Sequence, residues 1–269
     1  MINIMPREYT FGPVKSRRLG LSLGIDILPN KKFCTYDCVY CEIGCTSPNQ
    51  LVSPEYKIKR APSSNFRKEL KDILKYFPHL QSITFGYNGE PTLNENILEY
   101  LEIALKIREE IDWNEKPLLT LLTNSSTLQM KEVRNKVTQF DFVITKLDAG
   151  NQKDFKNTNR PHKNVPHVDD IIKSIIKLKR EMPKKNSMAI QSLIYQSYKK
   201  EFISNNNEEN IIQLAYAIKN IKPDYVQLYS IARIPAESYI YSVDENQLKI
   251  ISKKIKTIID DNSIIIKHY

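Results

Sequence analysis

Every cysteine of this 269-residue chain lies within the twelve-residue segment CTYDCVYCEIGC. The four are Cys34, Cys38, Cys41 and Cys45, so the spacing is C-x3-C-x2-C-x3-C. A chain of this length can bury a core of ordinary size and does not need disulfides for stability. Thiols gathered on one short segment therefore predict a metal or redox site.

Three kinds of site are compatible with this segment. Structural zinc takes four ligands in a tetrahedron, usually as two short pairs separated by a longer insert. An electron-transfer iron–sulfur cluster takes four cysteines, and one of them commonly comes from a distant position. A [4Fe–4S] cluster bound by Cys34, Cys38 and Cys41 alone would leave one iron open for a small molecule, as catalytic metals keep a free coordination position. Cys45 would then be a bystander, and a substrate contact or a substitute ligand is the alternative.

The elements that position these thiols follow a regular alternation. Strands are predicted over 21–29, 82–87, 117–124, 140–149, 187–196 and 224–234, with a short last strand at 263–269. Helices are predicted over 65–77, 94–111 (with Asn94 as N-cap), 131–137, 168–182, 208–221 and 245–261. Strands that alternate with amphipathic helices predict βαβ units and a parallel sheet.

Six strand–helix pairs are too few for an eight-unit barrel, which typically needs about 250 residues. The first 20 residues, an N-terminal extension, and residues 46–64 are expected to be loops. We therefore predict an α/β fold built as an open, partial (β/α)6 barrel. A single domain is expected over 1–269, with the cluster-binding loop at 31–45.

Polar segments follow the predicted strands. The cysteine segment follows the first strand, GYNGEPT the second, TNSS the third, KLDAGN the fourth, LIYQSY the fifth and SIAR the sixth. Ligands of parallel α/β folds bind at the carboxyl ends of the strands. Six of the seven glycines also lie at or before residue 89, and glycine permits close backbone approach. One edge of the sheet is therefore the predicted active site.

The composition bears on where the protein is found and on which partners it could attract. No run of about 18 apolar residues occurs, so no membrane-spanning helix is predicted. The N-terminus MINIMPREYTFGP does not have the pattern of a secretion signal, and a cytoplasmic location is expected. Forty Lys and Arg against thirty-one Asp and Glu give a net charge of +9. This excess is compatible with a solvated basic surface or with attraction to an anionic partner such as RNA.

The C-x3-C-x2-C spacing, with Tyr40 just before the third cysteine, resembles the signature of the radical S-adenosylmethionine (SAM) enzymes. Further segments resemble a family related to the enzymes that build wyosine bases in tRNA: FGPVKSRRLGLSLGIDILP, GYNGEPTL, LLTNSSTL, KLDA, NRPH and QLYSIARIPAE. Together they cover residues 11 to about 240. The resemblance implies the radical SAM fold, a [4Fe–4S] cluster with one open iron, and SAM chelated to that iron.

The resemblance also implies the reaction. The cluster donates an electron to the sulfonium of SAM, and the 5′-deoxyadenosyl radical that results abstracts hydrogen from the substrate. An electron donor such as flavodoxin or ferredoxin is an expected partner. Wyosine-forming enzymes carry a second set of cysteines, which this chain does not have. The substrate, an RNA base or a small molecule, therefore stays open, and a non-catalytic iron–sulfur carrier is the alternative.

The implied cofactor-binding residues are Tyr40, Gly86, Asn88, Gly89, Glu90, Asn124, Ser125 and Asp148. The GYNGE segment would bind the amino group of SAM, with Glu90 accepting from the ammonium. Asn124 and Ser125 would bind the carboxylate or ribose, Asp148 a ribose hydroxyl, and Tyr40 would lie near the adenine. Ordinary turns, caps and packing contacts are the alternative for each of them.

Basic residues predict a substrate site. Arg160 and Arg233 are the expected catalytic residues, and Arg17 and Arg18 precede the first predicted strand. Arginine offers a bidentate fork to phosphate or carboxylate, although each of these could equally form a structural ion pair. His162 and His167 are weaker candidates for acid–base groups.

Overall fold

A computed structural model describes residues 7–269. The strands are β1 (Thr10–Ser16), β2 (Gly20–Ile25), β3 (Ser82–Phe85), β4 (Leu118–Thr123), β5 (Phe142–Lys146), β6 (Ser187–Leu193), β7 (Tyr195–Ser197), β8 (Tyr225–Tyr229), β9 (Ile240–Ser242) and β10 (Ile265–His268). The helices are α1 (Ser64–Leu74), α2 (Ile97–Glu109), α3 (Lys131–Val137), α4 (Gln152–Asn159), α5 (Val168–Glu181), α6 (Glu208–Ile221) and α7 (Glu245–Ile259).

The main sheet has the strand order β1-β2-β3-β4-β5-β6-β8-β10. The strands from β2 onward pair in parallel, and β1 pairs antiparallel to β2 at one edge. The sheet curls into a partial barrel, which confirms the predicted α/β class. The short strands β7 and β9 form a separate antiparallel pair beside it.

The helices pack their apolar faces on the outside of the sheet. In α5, the side chains of Val168, Ile171, Ile175 and Leu178 are buried. Their spacing of three and four residues is the one that places side chains on a single helix face. No helix within residues 7–269 has the length and hydropathy needed to cross a bilayer.

The first strand corrects the prediction of an N-terminal loop. Residues 10–16 form β1, although Gly12 and Pro13 interrupt its alternation and a bulge lies between Phe11 and Val14. The ring of Phe11 covers Gly24, where a Cβ atom would lie only 2.0 Å from it. Residues 1–6 of the predicted extension lie outside the described residues.

Two local predictions on the helices also change. The helix predicted from residue 94 begins at Ile97, after a 3-10 turn over Pro91–Leu93, and its N-cap is Asn96. The Asn94 side chain instead donates to the backbone oxygens of Ile27 and Arg60, at 2.7 and 3.0 Å. Helix α4 was not predicted, because its eight residues are mostly polar.

Candidate active site

The cysteine segment pairs with the loop that follows β3. The amide of Phe33 donates to the oxygen of Asn88 at 3.0 Å, and the amide of Glu90 donates to the oxygen of Phe33 at 2.9 Å. Gly89 lies between them with φ at +133°, and a Cβ there would be 1.8 Å from the Phe33 oxygen. Glycine is therefore required for the two loops to meet.

Three of the four thiols share an environment. Cys34, Cys38 and Cys41 are partly buried, whereas Cys45 is exposed. Burial raises the pKa of the Cys34 thiol to about 12, and the nearby Cys41 adds to the rise. Burial also raises the pKa of Cys38, as do its neighbours Cys34 and Cys41. A positive centre bound beside Cys34 and Cys38 would favour their thiolate forms.

Amide donors point at two of these sulfurs. The Asn124 Nδ2 atom lies 3.4 Å from the Sγ of Cys34, and the Asn159 Nδ2 atom lies 3.4 Å from the Sγ of Cys38. Hydrogen bonds to sulfur are typical of thiolate ligands in iron–sulfur proteins. The donor set therefore fits a cluster with cysteine ligands.

The thiols are not arranged around a single ion. Within residues 7–269, no three Cys, His, Asp or Glu side chains are close enough to hold one metal ion. A [4Fe–4S] cluster does not need that arrangement, because each thiolate binds a different iron.

Glu90 is the centre of a buried network. Its side chain accepts from the Thr123 hydroxyl at 2.8 Å and from the amides of Asn124 and Thr92 at 2.6 and 3.1 Å. Burial raises the pKa of Glu90, and these hydrogen bonds act against the rise. The carboxylate thus ties the loop after β3 to the end of β4.

Asp148 organises a second network at the end of β5. It is 2% exposed, and it accepts from the Leu193 amide at 2.8 Å, from Asn159 Nδ2 at 3.0 Å and from the Tyr40 hydroxyl. The Lys146 ammonium lies 3.0 Å from Asp148, and it donates to the Tyr229 hydroxyl at 2.9 Å. Asp148 thus fixes the ring of Tyr40 beside the cysteine loop.

The segment after β4 also contacts the cysteine loop. The Asn124 amide donates to the Thr35 hydroxyl at 2.8 Å, and its oxygen accepts from the Ser126 amide at 3.0 Å. Ser125 is buried with φ at +72°, and its hydroxyl donates to the Lys146 oxygen at 3.1 Å.

A cavity of about 650 Å³ opens beside these networks. Its lining includes Tyr40, Cys41, Gly86, Gly89 and Tyr229. The cavity continues from the cysteine loop, along the inner face of β2, to the turn between β1 and β2. A volume of this size is within the range of about 300–1,000 Å³ that is usual for ligand pockets.

Residues 31–194 match the family model described as the radical SAM superfamily. The chain belongs to this superfamily. Radical SAM enzymes use a [4Fe–4S] cluster and SAM, so the predicted class of enzyme and its cofactors are confirmed.

A relative described as a UPF0026 protein of Methanocaldococcus jannaschii is 34% identical over 231 residues, which are 86% of this chain and 65% of that protein. This radical SAM chain thus spans slightly less than two thirds of that relative's length.

Two solved structures share the radical SAM fold. Streptococcus suis SuiB bound to S-adenosylmethionine has a TM-score of 0.57 and 16% identity, covering 91% of this chain and 50% of SuiB. The structure of TYW1 with a lysine–pyruvate adduct has a TM-score of 0.57 and 13% identity, covering 88% of this chain and 73% of TYW1. At these identities the matches show the fold alone.

The two arginines of this radical SAM protein that were predicted to be catalytic have different surroundings. Arg160 is bonded to Glu237 and to the Tyr239 hydroxyl, and it is not among the residues that line the cavity. Arg233 lines the cavity and donates to Glu42 at 2.7 Å. A catalytic role for either stays a prediction.

The two histidine candidates have structural contacts in this radical SAM domain. The ring of His162 accepts from the Asn164 amide at 3.2 Å. His167 is the N-cap of α5 and accepts from the Asp169 amide.

Sequence reasoning missed Lys146, Asn159 and Tyr229. The first two lie in the quoted segments KLDA and NRPH, where a basic or amide side chain within a named motif was the available signal. Tyr229 lies in the quoted segment QLYSIARIPAE, at the end of a buried strand.

Proposed function

We propose that Cys34, Cys38 and Cys41 bind a [4Fe–4S] cluster with one iron left open for SAM. The observation that carries this proposal is the pair of amide donors, Asn124 and Asn159, directed at the sulfurs of Cys34 and Cys38. Cys45 is exposed, and its sulfur lies 3.9 Å from the oxygen of Ala236. It is therefore proposed as a bystander.

The chemistry belongs to the cofactors, and the chain orients them. When bound, the cluster and SAM supply a 5′-deoxyadenosyl radical for hydrogen abstraction from a substrate. The partly buried loop keeps bulk water away from the three thiols, and Asn124 and Asn159 stabilise the charged forms of Cys34 and Cys38. Cys41 lines the cavity, so the open position would face the space available for SAM.

We assign the SAM-binding edge to Gly86, Asn88 and Gly89. Gly86 and Gly89 line the cavity, where their backbone groups are available to the amino group of SAM. Asn88 donates to Asp26 at 2.6 Å, which braces this loop. Glu90 is 1% exposed and already accepts several hydrogen bonds, which supports a positioning role.

Tyr40 is the proposed contact for the adenine of SAM. It lines the cavity, and Asp148 holds its hydroxyl. Asp148 is itself fully engaged by Leu193, Asn159 and Lys146, so its effect on SAM would pass through Tyr40. Asn124 and Ser125 would act similarly, since their side chains are bonded to the cysteine loop and to β5.

The substrate and the reductant are separate proposals. Radical SAM enzymes need a reductant, for which we propose a flavodoxin or ferredoxin. The net charge of +9 supports RNA modification as one use of the site, and the cavity supports a small molecule or a single base. The continuous core from Tyr9 to Ile264 supports a single domain.

The test is reductive cleavage of SAM. Anaerobically reconstituted protein given dithionite and SAM is expected to produce 5′-deoxyadenosine, and the Cys38→Ala variant is expected to produce none. The control is Cys45→Ala, which keeps the thiol count equal to that of Cys38→Ala. An intact cluster, confirmed by iron analysis, without any 5′-deoxyadenosine would contradict the proposal.

A further inference from the structure

Arg18 reaches into the cavity from the turn between β1 and β2. The turn is fixed by the Ser16 hydroxyl, which accepts from the amides of Arg18 and Leu19 at 3.2 Å each. The Arg18 guanidinium lies over the ring of Tyr229, with 4.1 Å between its Cζ and the ring centroid. The side chain thus extends from the turn between β1 and β2 to the last residue of β8.

The guanidinium of Arg18 has donors without acceptors. Its Nη1 atom is buried and has no hydrogen-bond partner, and no carboxylate lies within 4.0 Å of it among residues 7–269. Arg108 and Arg134, whose side chains are 11% and 6% exposed, have carboxylate partners, Asp141 and Glu181. A buried donor on a charged group is costly without an acceptor. The Tyr229 ring covers one face of the guanidinium, but it does not bond the N–H groups in its plane.

The charges around the cavity are unbalanced. Its charged lining residues are Lys15, Arg17, Arg18, Arg233 and Glu42. Glu42 is already paired with Arg233 at 2.7 Å. The remaining three basic side chains create a positive potential that favours an anionic ligand.

The turn that carries Arg18 and the cysteine loop lie at opposite ends of β2. The turn precedes β2 and the cysteine loop follows β2, whose six residues span roughly 16–20 Å at the usual rise per residue. Ser22 and Gly24 line the cavity between these two ends. The Arg18 side chain extends from this turn to Tyr229 at the end of β8, whose hydroxyl accepts from Lys146, so a group bound by Arg18 would lie beside the network that holds Tyr40.

We propose that the substrate carries a carboxylate or phosphate group that the Arg18 guanidinium binds through its two in-plane N–H groups. Both groups present a pair of oxygens that match the arginine fork. The ring of Tyr229 holds the plane of the fork, and Arg17 and Lys15 add to the attraction. This proposal rests on the proposed function, because it places the bound anion in the cavity beside the cluster.

The experiment measures anion binding by calorimetry. Anaerobically reconstituted protein with saturating SAM is titrated with inorganic phosphate and, separately, with malonate. At least one anion is expected to bind with a dissociation constant of about 1 mM, and Arg18→Gln is expected to weaken it about tenfold or more. Arg18→Lys keeps the charge without the fork and should lie in between. Arg67→Gln removes an exposed surface charge outside the cavity and serves as the control.

The outcomes separate the alternatives. Tighter phosphate binding indicates a phosphorylated substrate, and tighter malonate binding indicates a carboxylic acid. Absence of binding by both anions, or equal binding to Arg18→Gln and wild type, would overturn the proposal. A loss of SAM affinity equal to the loss of anion affinity would mean that Arg18 binds the cofactor, which also overturns it.

Iron content and 5′-deoxyadenosine, measured on the same wild-type sample, report on the proposed function independently. The unfolding midpoint of each variant shows whether it folds. If Arg18→Gln does not fold, the anion affinity of Arg18→Lys decides between the outcomes.

Discussion

The backbone oxygen of Phe33 occupies the space that a side chain on Gly89 would need. A Cβ at Gly89 would lie 1.8 Å from this oxygen, and the φ of +133° is itself unfavourable for other residues. This contact joins the cysteine loop to the loop that borders the cavity. The geometry of both proposed cofactor sites therefore depends on one missing methyl group.

Gly89→Ala is expected to abolish the pairing of the two loops. The clash is with backbone atoms, which cannot rotate away, so the loops must separate. Iron content after reconstitution should fall well below four per chain. Gly44→Ala is the matched control, because Gly44 also has a positive φ of +85° but a methyl group added to it would meet nothing within 4 Å. Equal loss of iron from both variants would contradict the role assigned to the contact.

Replacement of the cysteines should separate ligands from bystander. Cys34→Ala, Cys38→Ala and Cys41→Ala are each expected to lose most of the iron, whereas Cys45→Ala should keep about four irons per chain. The reason is that only the first three thiols are partly buried and mutually close. Iron and sulfide analysis with absorption spectra measures this. The assignment is wrong if Cys45→Ala loses as much iron as Cys38→Ala.

Much of the fold follows from the periodicity of the sequence. Helix α3 and helix α6 begin and end where the pattern places them, and the parallel strands lie within the predicted ranges or begin one residue before them. Each of these elements is buried on one face or on both faces. The spacing of its apolar residues therefore indicates which faces are buried. Strand β1 was missed because its bulge at Gly12 and Pro13 breaks the alternation.

The chemistry of the site was less accessible to sequence reasoning. The cysteine segment is local, and its spacing predicts a metal or redox site. The contact of Arg18 with Tyr229 joins residues 211 positions apart by way of the curl of the sheet. No local pattern encodes such a contact. The same is true of Asn159, whose amide reaches Cys38 because α4 ends beside the cysteine loop.

The stability of the protein should depend on pH through Glu181. Its carboxylate accepts from Arg134 at 2.8 and 3.0 Å, and this pairing lowers the pKa of Glu181. A lowered pKa in the folded state contributes stability above the ordinary value of about 4.3, and this contribution is lost as the pH falls through the folded value. Glu181→Gln should therefore lower the free energy of unfolding by about 1 kcal/mol at pH 7, the value for a partly exposed pair.

The difference between wild type and Glu181→Gln should shrink as the pH falls below the ordinary carboxyl value of about 4.3, as measured by urea unfolding. Glu208→Gln is the control, since Glu208 pairs with Lys254 on the surface and is 76% exposed. Its effect at pH 7 should be close to zero, because exposed pairs contribute little. A pH-independent difference for Glu181→Gln would show that the ion pair is not its source.

The amides of Asn124 and Asn159 should tune the cluster. Hydrogen bonds to the sulfurs favour the reduced, more negative state of an iron–sulfur cluster. Asn124→Ala is therefore expected to lower the reduction potential, on the order of tens of millivolts. Electron paramagnetic resonance during a potentiometric titration measures the shift. Asn186→Ala is the control, because Asn186 is buried and donates to the Thr138 oxygen at 2.9 Å without contacting a cysteine. An unchanged potential in Asn124→Ala, with its iron content retained, would show that the contact at 3.4 Å carries no electrostatic effect.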